Sequence, residues 1–309
     1  MKKKHVLYIP LMSMLIGINA CTSPQTIEPN QYSKITPKSN NNTDPQVNAR
    51  VTSFDWRIWK VSIPIDNGGK AKSLSGSYIR NAQFSSQEKR YIKKNSDGSY
   101  RFFTEFNGIT TSGIYAARKK KYCRTELREL TKSGNPTTWK MNEGKTHRME
   151  TTLRIDQINN SSRSRGIIIG QIHADENRGK GLPTVKVFWN KNKIRLEYYA
   201  LKSSIRDKVR SGEMSPYEAW KDKNKKKYLD VKKVDITSVS KGTFFDLVIK
   251  INPSGSLTCI ANGKSKTVYN YKTDKYPFKN YFKTGNYLID DNQGASGQVT
   301  LKGVKVNHH

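Results

Sequence analysis

The chain has few of the residues that staple small secreted folds or hold metals. It contains three cysteines and five histidines in 309 residues. With no CxxC pair and no histidine-rich cluster, neither a disulfide framework nor a metal site is expected. Cys123 and Cys259 are the only cysteines beyond residue 21. An oxidising compartment permits a bond between them, but nothing in their spacing requires one. Acidic residues are also scarce, 25 against 56 Lys and Arg, which leaves a formal charge of +31. Long hydrophobic runs are absent, since Val6 to Ile18 is too short to cross a bilayer. No glycine-rich loop joins a strand to a helix, which argues against a nucleotide fold.

What is present begins with an address. Lys2, Lys3 and Lys4 precede the short apolar run, and Ile18-Asn19-Ala20-Cys21 places small residues before a cysteine. This pattern reads as a signal peptide over residues 1–21. Its end resembles a bacterial lipobox, so Cys21 is expected to be lipidated and to become the new N-terminus. Ordinary cleavage near Ala20 is the alternative. Thr22, rather than Asp, follows the cysteine and favours an outer-membrane lipoprotein. Residues 22–48 are rich in Ser, Thr, Asn, Pro and Gln and lack apolar periodicity, so they are expected to form a flexible tether. Residues 49–309 then make one domain, expected to act as a monomer.

Loss of Lys2, Lys3 and Lys4 with the leader takes the charge from +31 to +28. A field of that sign captures polyanions. For an exported chain the fitting partner is an anionic polysaccharide or cell surface rather than nucleic acid, and no recognition helix or RNA module is evident. A lysine-rich solvated surface would give the same charge.

From about residue 50 the pattern is short strands and turns. Alternation marks Tyr100-Arg101-Phe102-Phe103, Lys186-Val187-Phe188-Trp189 and Phe245-Asp246-Leu247-Val248-Ile249. Between such runs lie Asp66-Asn67-Gly68-Gly69, Ser96-Asp97-Gly98, Asn252-Pro253-Ser254-Gly255 and Asn262-Gly263. This spacing predicts an all-β sandwich or barrel. Residues 202–233 break the pattern, with Ser215 as N-cap, Pro216 at N1 and a basic cluster at Lys221, Lys223, Lys225, Lys226 and Lys227. They are expected to form a helical insertion, either a rim of a binding groove or a solvated excursion.

Three stretches carry candidate chemistry. In Arg124-Thr125-Glu126-Leu127-Arg128, strand alternation puts Arg124, Glu126 and Arg128 on one face. Two guanidiniums around a carboxylate suit capture of another carboxylate, and also suit a solvent-facing ion-pair ladder. In Ile167-Ile168-Ile169-Gly170-Gln171-Ile172-His173, Gln171 and His173 share a face. Only His147 and His173 are histidines inside the expected domain and away from its end. In Tyr281-Phe282-Lys283-Thr284-Gly285-Asn286-Tyr287, Tyr281, Lys283, Gly285 and Tyr287 share a face. A tyrosine among cations is expected to have a lowered pKa, although an edge-strand aromatic beside a lysine gives the same pattern. No carboxylate pair of the kind glycoside hydrolysis uses is evident. The inventory suits β-elimination from a uronate instead. There the C6 carboxylate is neutralised, a base takes the C5 proton and an acid protonates the departing O4.

The Arg-Thr-Glu-Leu-Arg, Gln-Ile-His and Tyr-Phe-Lys-x-Gly-x-Tyr stretches, in this order, resemble the three signature motifs of the polysaccharide lyase family 7 alginate lyases. Asn95-Ser96-Asp97-Gly98 to Thr110-Thr111-Ser112 resembles the text that precedes the first motif. The resemblance runs from about residue 50 to the C-terminus. It implies a β-jelly roll, two antiparallel sheets with a concave substrate groove, that needs no cofactor. It also implies that Arg124 and Gln171 neutralise the uronate carboxylate. His173 would be the base on one epimer, with Tyr287 the acid, and also the base for the other epimer. Glu126, Arg128, Tyr281 and Lys283 would line the groove. The family's third motif continues to a glutamine where this chain has Ile289. Gln-Ile-His, with Ile172 at its centre, accompanies guluronate or mixed-block activity in the family. The basic insertion and the Lys119-Lys120-Lys121 run keep open another polyuronate such as glucuronan, or a non-catalytic jelly roll that grips acidic glycans.

Overall fold

The structure, a computed structural model, describes residues 50–137, 139–175, 182–269, 271 and 276–309. The expected leader 1–21, Cys21 and the tether 22–48 lie outside the described residues.

Each turn marked in the sequence closes a hairpin. β1 (Trp59–Asp66) and β2 (Ala71–Ser75) flank Asp66-Asn67-Gly68-Gly69, where Asp66 accepts from the Gly69 N–H at 2.8 Å. β3 (Ile92–Lys94) and β4 (Tyr100–Glu105) flank Ser96-Asp97-Gly98, with Asp97 accepting from the Ser99 N–H at 3.0 Å. The chain continues through β5 (Ile109–Thr110), β6 (Gly113–Ile114), β7 (Arg124–Glu129), β8 (His147–Asn159), β9 (Ile167–Ala174), β10 (Pro183–Asn190) and β11 (Lys193–Leu201). After the insertion come β12 (Leu229–Ser238), β13 (Phe245–Ile251), β14 (Leu257–Ala261), β15 (Lys264–Val268), β16 (Asn280–Leu288) and β17 (Ser296–His308). β13 and β14 turn at Asn252-Pro253-Ser254-Gly255, and β14 and β15 at Asn262-Gly263. Both residues of the latter turn have positive φ, as a tight hairpin of right-twisted strands requires.

All of these strands but β5 and β6, which pair only with each other, form two antiparallel sheets, the β-jelly roll. The larger runs β12-β11-β10-β9-β16-β7-β1-β2 and the smaller β15-β14-β13-β8-β17-β4-β3. Alternate side chains of the larger sheet, among them Val61, Leu127, Ile172 and Phe282, bury against Met149, Leu153, Leu247 and Ile249 of the smaller. Burying one such side chain stabilises by about 1.5–3 kcal/mol. The larger sheet therefore has one face fixed in the core and the other free for chemistry. Cys123 and Cys259 are buried free thiols, so the bond that the compartment permits is not formed.

The insertion folds as expected in its centre and differs at its end. α1 (Ser203–Ser211), α2 (Pro216–Trp220) and α3 (Lys225–Tyr228) lie between β11 and β12. Ser215 caps the second of these, accepting from the Glu218 N–H at 3.2 Å, with Pro216 in the first turn. Residues 229–233 belong to β12, because Leu229, Val231 and Lys233 pair with Leu201, Tyr199 and Glu197. Trp220 is buried and meets the Tyr276 ring edge-on at 5.1 Å, while Tyr217 meets Phe278 at 5.4 Å. The insertion is thus packed onto the domain, not merely solvated.

Candidate active site

Strand order brings three distant stretches side by side. β16 lies between β9 and β7, which places Tyr281 opposite His173, and Lys283 opposite both Gln171 and Arg128. Gly285 then faces Glu126, and Tyr287 faces Arg124. All eight groove residues named from the sequence occupy the sheet face away from the core, within three adjacent strands.

Glu126 is the hub. Its buried carboxylate accepts from Gln171 Nε2, from Lys283 Nζ and from Arg124 Nη1, the last at 3.3 Å. Charge-assisted bonds of this kind fix donor geometry. Arg124 also lies over the Tyr287 ring at 3.6 Å, and Arg128 over Tyr281 at 4.0 Å. The Arg124 guanidinium is therefore held by edge and face and that of Arg128 by its face, not swinging in solvent as an exposed ladder would.

His173 stacks on Tyr281 with centroids 5.3 Å apart. Its Nδ1 lies 2.8 Å from the Ala174 carbonyl and 3.2 Å from the Tyr281 hydroxyl. A ring donating from Nδ1 to a carbonyl carries its lone pair on Nε2 when neutral. Burial, followed by the charges of Lys283 and Arg124, holds the imidazole well below its ordinary pKa, so the ring is neutral and able to accept a proton.

Tyr287 departs from expectation. Its pKa is raised, because burial outweighs the opposing influence of Arg124. The cause is an apolar cluster that the sequence did not reveal. Ile168, Phe188 and Ile289 pack together on the groove face against Tyr122 and Tyr287. Ile168 reaches that face because the β9–β16 register slips between Thr284 and Tyr287. Ile167 and Ile169 stay in the core. Ile289, which stands where the family has glutamine, makes part of this wall. The phenol is thereby kept protonated, which suits an acid.

Gly285 makes the register possible. Its φ is +134°, and a Cβ there would stand 2.9 Å from the Thr125 carbonyl oxygen and 3.1 Å from Glu126 Cα. Gly285→Ala is expected to cost about 1–3 kcal/mol and to lower activity by shifting Lys283 and Tyr287. Urea unfolding and a rate assay on the same variant check both effects.

His147 does not reach the groove. It is fully buried on the core side, stacked on Trp139 at 4.3 Å, with Nδ1 2.8 Å from Nδ1 of His308. His308, at the end of β17, contacts Glu129 at 2.6 Å, and Glu129 accepts from the Phe282 N–H at 2.7 Å. This network fixes the backbone between Tyr281 and Lys283 from beneath. It was not legible in sequence, because His308 reads as a frayed end.

A jelly roll whose larger sheet gathers a neutral imidazole, a protonated phenol and a clamp of carboxylate-binding donors has the architecture of a polysaccharide lyase. The alginate lyase family profile matches residues 54–308. The crystal structure of alginate lyase A1-II′, a member of polysaccharide lyase family 7, aligns with a TM-score of 0.61 at 22% identity, covering 82% of this chain and 96% of that one. An alginate lyase from Pseudomonas aeruginosa aligns with a TM-score of 0.59 at 26% identity, over 82% of this chain and 100% of its own. One from Corynebacterium sp. gives 0.57 at 19%, over 83% and 96%. No curated protein sequence matches the chain. The chain belongs to the alginate lyase family.

Proposed function

We propose that this groove cleaves alginate by β-elimination, leaving an unsaturated uronate at each new non-reducing end. The observation that carries the reading is one donor set, Arg124, Gln171 and Lys283, gathered around Glu126 beside a neutral His173 and a protonated Tyr287. Arg124 and Gln171 neutralise the C6 carboxylate of the bound sugar, which makes the C5 proton more acidic. Where that proton and O4 lie on opposite faces of the ring, His173 removes the proton and Tyr287 protonates the leaving oxygen. For the epimer with both on one face, Tyr287 must first give its proton to solvent, then take the C5 proton as base and pass it to O4 as acid, so its raised pKa favours the opposite-face epimer. Arg128, Tyr281, Lys283 and Glu126 hold the sugar and these groups in place. The related alginate lyase A1-II′ has been crystallised with a GGG product and a GGMG substrate, which supports a groove for oligouronates.

Guluronate or mixed blocks are the proposed preference. Ile172, the middle residue of the second motif, is buried between the sheets. Its influence on epimer choice therefore acts by placing Gln171 and His173 and not by touching sugar. Initial rates on separate polyguluronate, polymannuronate and glucuronan, read as ultraviolet absorbance of the new double bond, test the reading. Polyguluronate or mixed alginate is expected to be fastest. Glucuronan as the best substrate would move the assignment to that polymer, and silence on all three with tight binding would make the groove a non-catalytic lectin.

Burial brings Lys283 down to about pKa 8, so the free groove loses a cation as pH rises through that value. A bound carboxylate restores the charged form. kcat/KM is accordingly expected to fall above about pH 8, while kcat holds until the phenol titrates, and pH profiles of both constants check this.

Export and lipid attachment at Cys21, with the protein working as an outer-membrane monomer, complete the proposal. Their support is the basic, apolar and small-residue order of residues 1–21, followed by Thr22. Lipid labelling in cells that is lost in Cys21→Ser tests them.

A further inference from the structure

Beyond its central residues, the groove floor continues across β10 and β11 toward the insertion. Lys186 stands directly opposite Gln171 on one side and Glu197 on the other. Tyr199, two residues beyond Glu197, shares its face. The Lys186 ammonium lies 5.8 Å from the Tyr199 ring centroid, and Lys225, from the last helix of the insertion, lies 4.8 Å from the same ring. Glu197 is already engaged by Arg165 at 2.6 Å and Arg195 at 3.3 Å. Among the described residues no carboxylate pairs with Lys186 or Lys225. Lys186, Lys225, Arg165 and Arg195 thus gather around Glu197 and the Tyr199 ring, and β12 adds Lys233 opposite Glu197 and Asp235 opposite Arg195.

A lysine run is ordinarily a solvated face, and Lys223, Lys226 and Lys227 are exposed as that predicts. Lys225 differs, because it is half-buried and turned onto the ring. Burial, with the charges of Lys225 and Arg165, brings Lys186 down to about pKa 8. Bringing like charges together beside a low-dielectric floor is unfavourable unless an anion joins them. The site lies up to two strand spacings from Gln171, roughly 10 Å, so it meets a different sugar from the one being cleaved.

We infer that Lys186 and Lys225, carried on Tyr199, form a second carboxylate subsite that holds a uronate further along the bound chain. The inference rests on the polyuronate lyase reading and deepens it. The insertion supplies Lys225, so substrate length becomes a determinant of binding.

The test uses Lys225→Gln and Lys186→Gln, with Lys223→Gln as the control. Lys223 is exposed and pairs with Glu218 at 3.6 Å, so it removes the same charge elsewhere on the insertion. Thermal unfolding confirms that each variant folds, and either lysine variant suffices if the other does not. Michaelis constants are measured on polymer and on oligomers of increasing length. The expected result is a roughly fivefold to tenfold higher KM on polymer for each subsite variant, as for loss of one hydrogen bond of ordinary net strength at a partly solvated site. The rise should vanish on oligomers too short to span the two subsites, and Lys223→Gln should match the wild type. A Lys225→Gln enzyme that behaves as Lys223→Gln on polymer would overturn the subsite while leaving the lyase reading standing. An inactive wild type would overturn that reading, and the subsite with it.

Discussion

Tyr287→Phe is expected to lower kcat on alginate by about 10³-fold, within the range set by loss of a general acid. The substitution is conservative for everything except the hydroxyl. The ring keeps its place beneath Arg124 at 3.6 Å and its edge contact with Tyr122 at 6.4 Å. Its apolar neighbours Ile168, Phe188 and Ile289 also remain. Folding and KM should therefore change little, and the loss should appear in kcat. Burial keeps the phenol protonated above its ordinary pKa, so the wild-type acid stays loaded at neutral pH. Steady-state rates with an unfolding control decide the matter. A variant retaining more than about a tenth of wild-type kcat would mean that solvent or another group protonates the leaving oxygen.

Arg124→Met is expected to lower kcat/KM by about 10²–10³-fold, as for removal of one member of a buried charge pair. The uronate carboxylate would lose its main counter-charge, and the C5 proton would become less acidic. Both binding and chemistry suffer, so kcat and KM should worsen together, unlike the tyrosine variant. Arg124→Lys should rescue little, since an ammonium cannot both lie flat on the Tyr287 ring and reach Glu126 as a planar fork does. Full rescue by lysine would show that charge alone matters at this position.

Local pattern in the sequence carried much of the fold. Gly and Asn at the hairpin turns, two-residue alternation in the strands and the Ser215-Pro216 helix start are all set by backbone sterics within a few residues, and each is found in place. That the named residues within each of the three stretches share a sheet face was legible for the same reason, because alternation assigns faces without knowledge of partners. Features set by long-range pairing were hidden. The β10–β11 hairpin turns on Lys191 and Asn192 at φ 49° and 64°, and no glycine marks it. The slip that sends Ile168 to the groove arises when β9 pairs with its two neighbours, β10 and β16, the latter more than a hundred residues later. Without that slip the wall around Tyr287 does not exist, which is why the expected fall in its pKa became a rise. Lys186 and Lys225 were visible only as charges until β10, β11 and the insertion set them over one ring.

The central claim is elimination at this groove, and the mass of the products tests it most directly. Purified protein is incubated with alginate, and the oligosaccharides released are weighed by mass spectrometry. Elimination predicts that each new non-reducing end lacks one water relative to a saturated sugar, and that these products disappear in Tyr287→Phe. Saturated ends, or unsaturated ends that persist undiminished in that variant, would contradict the account.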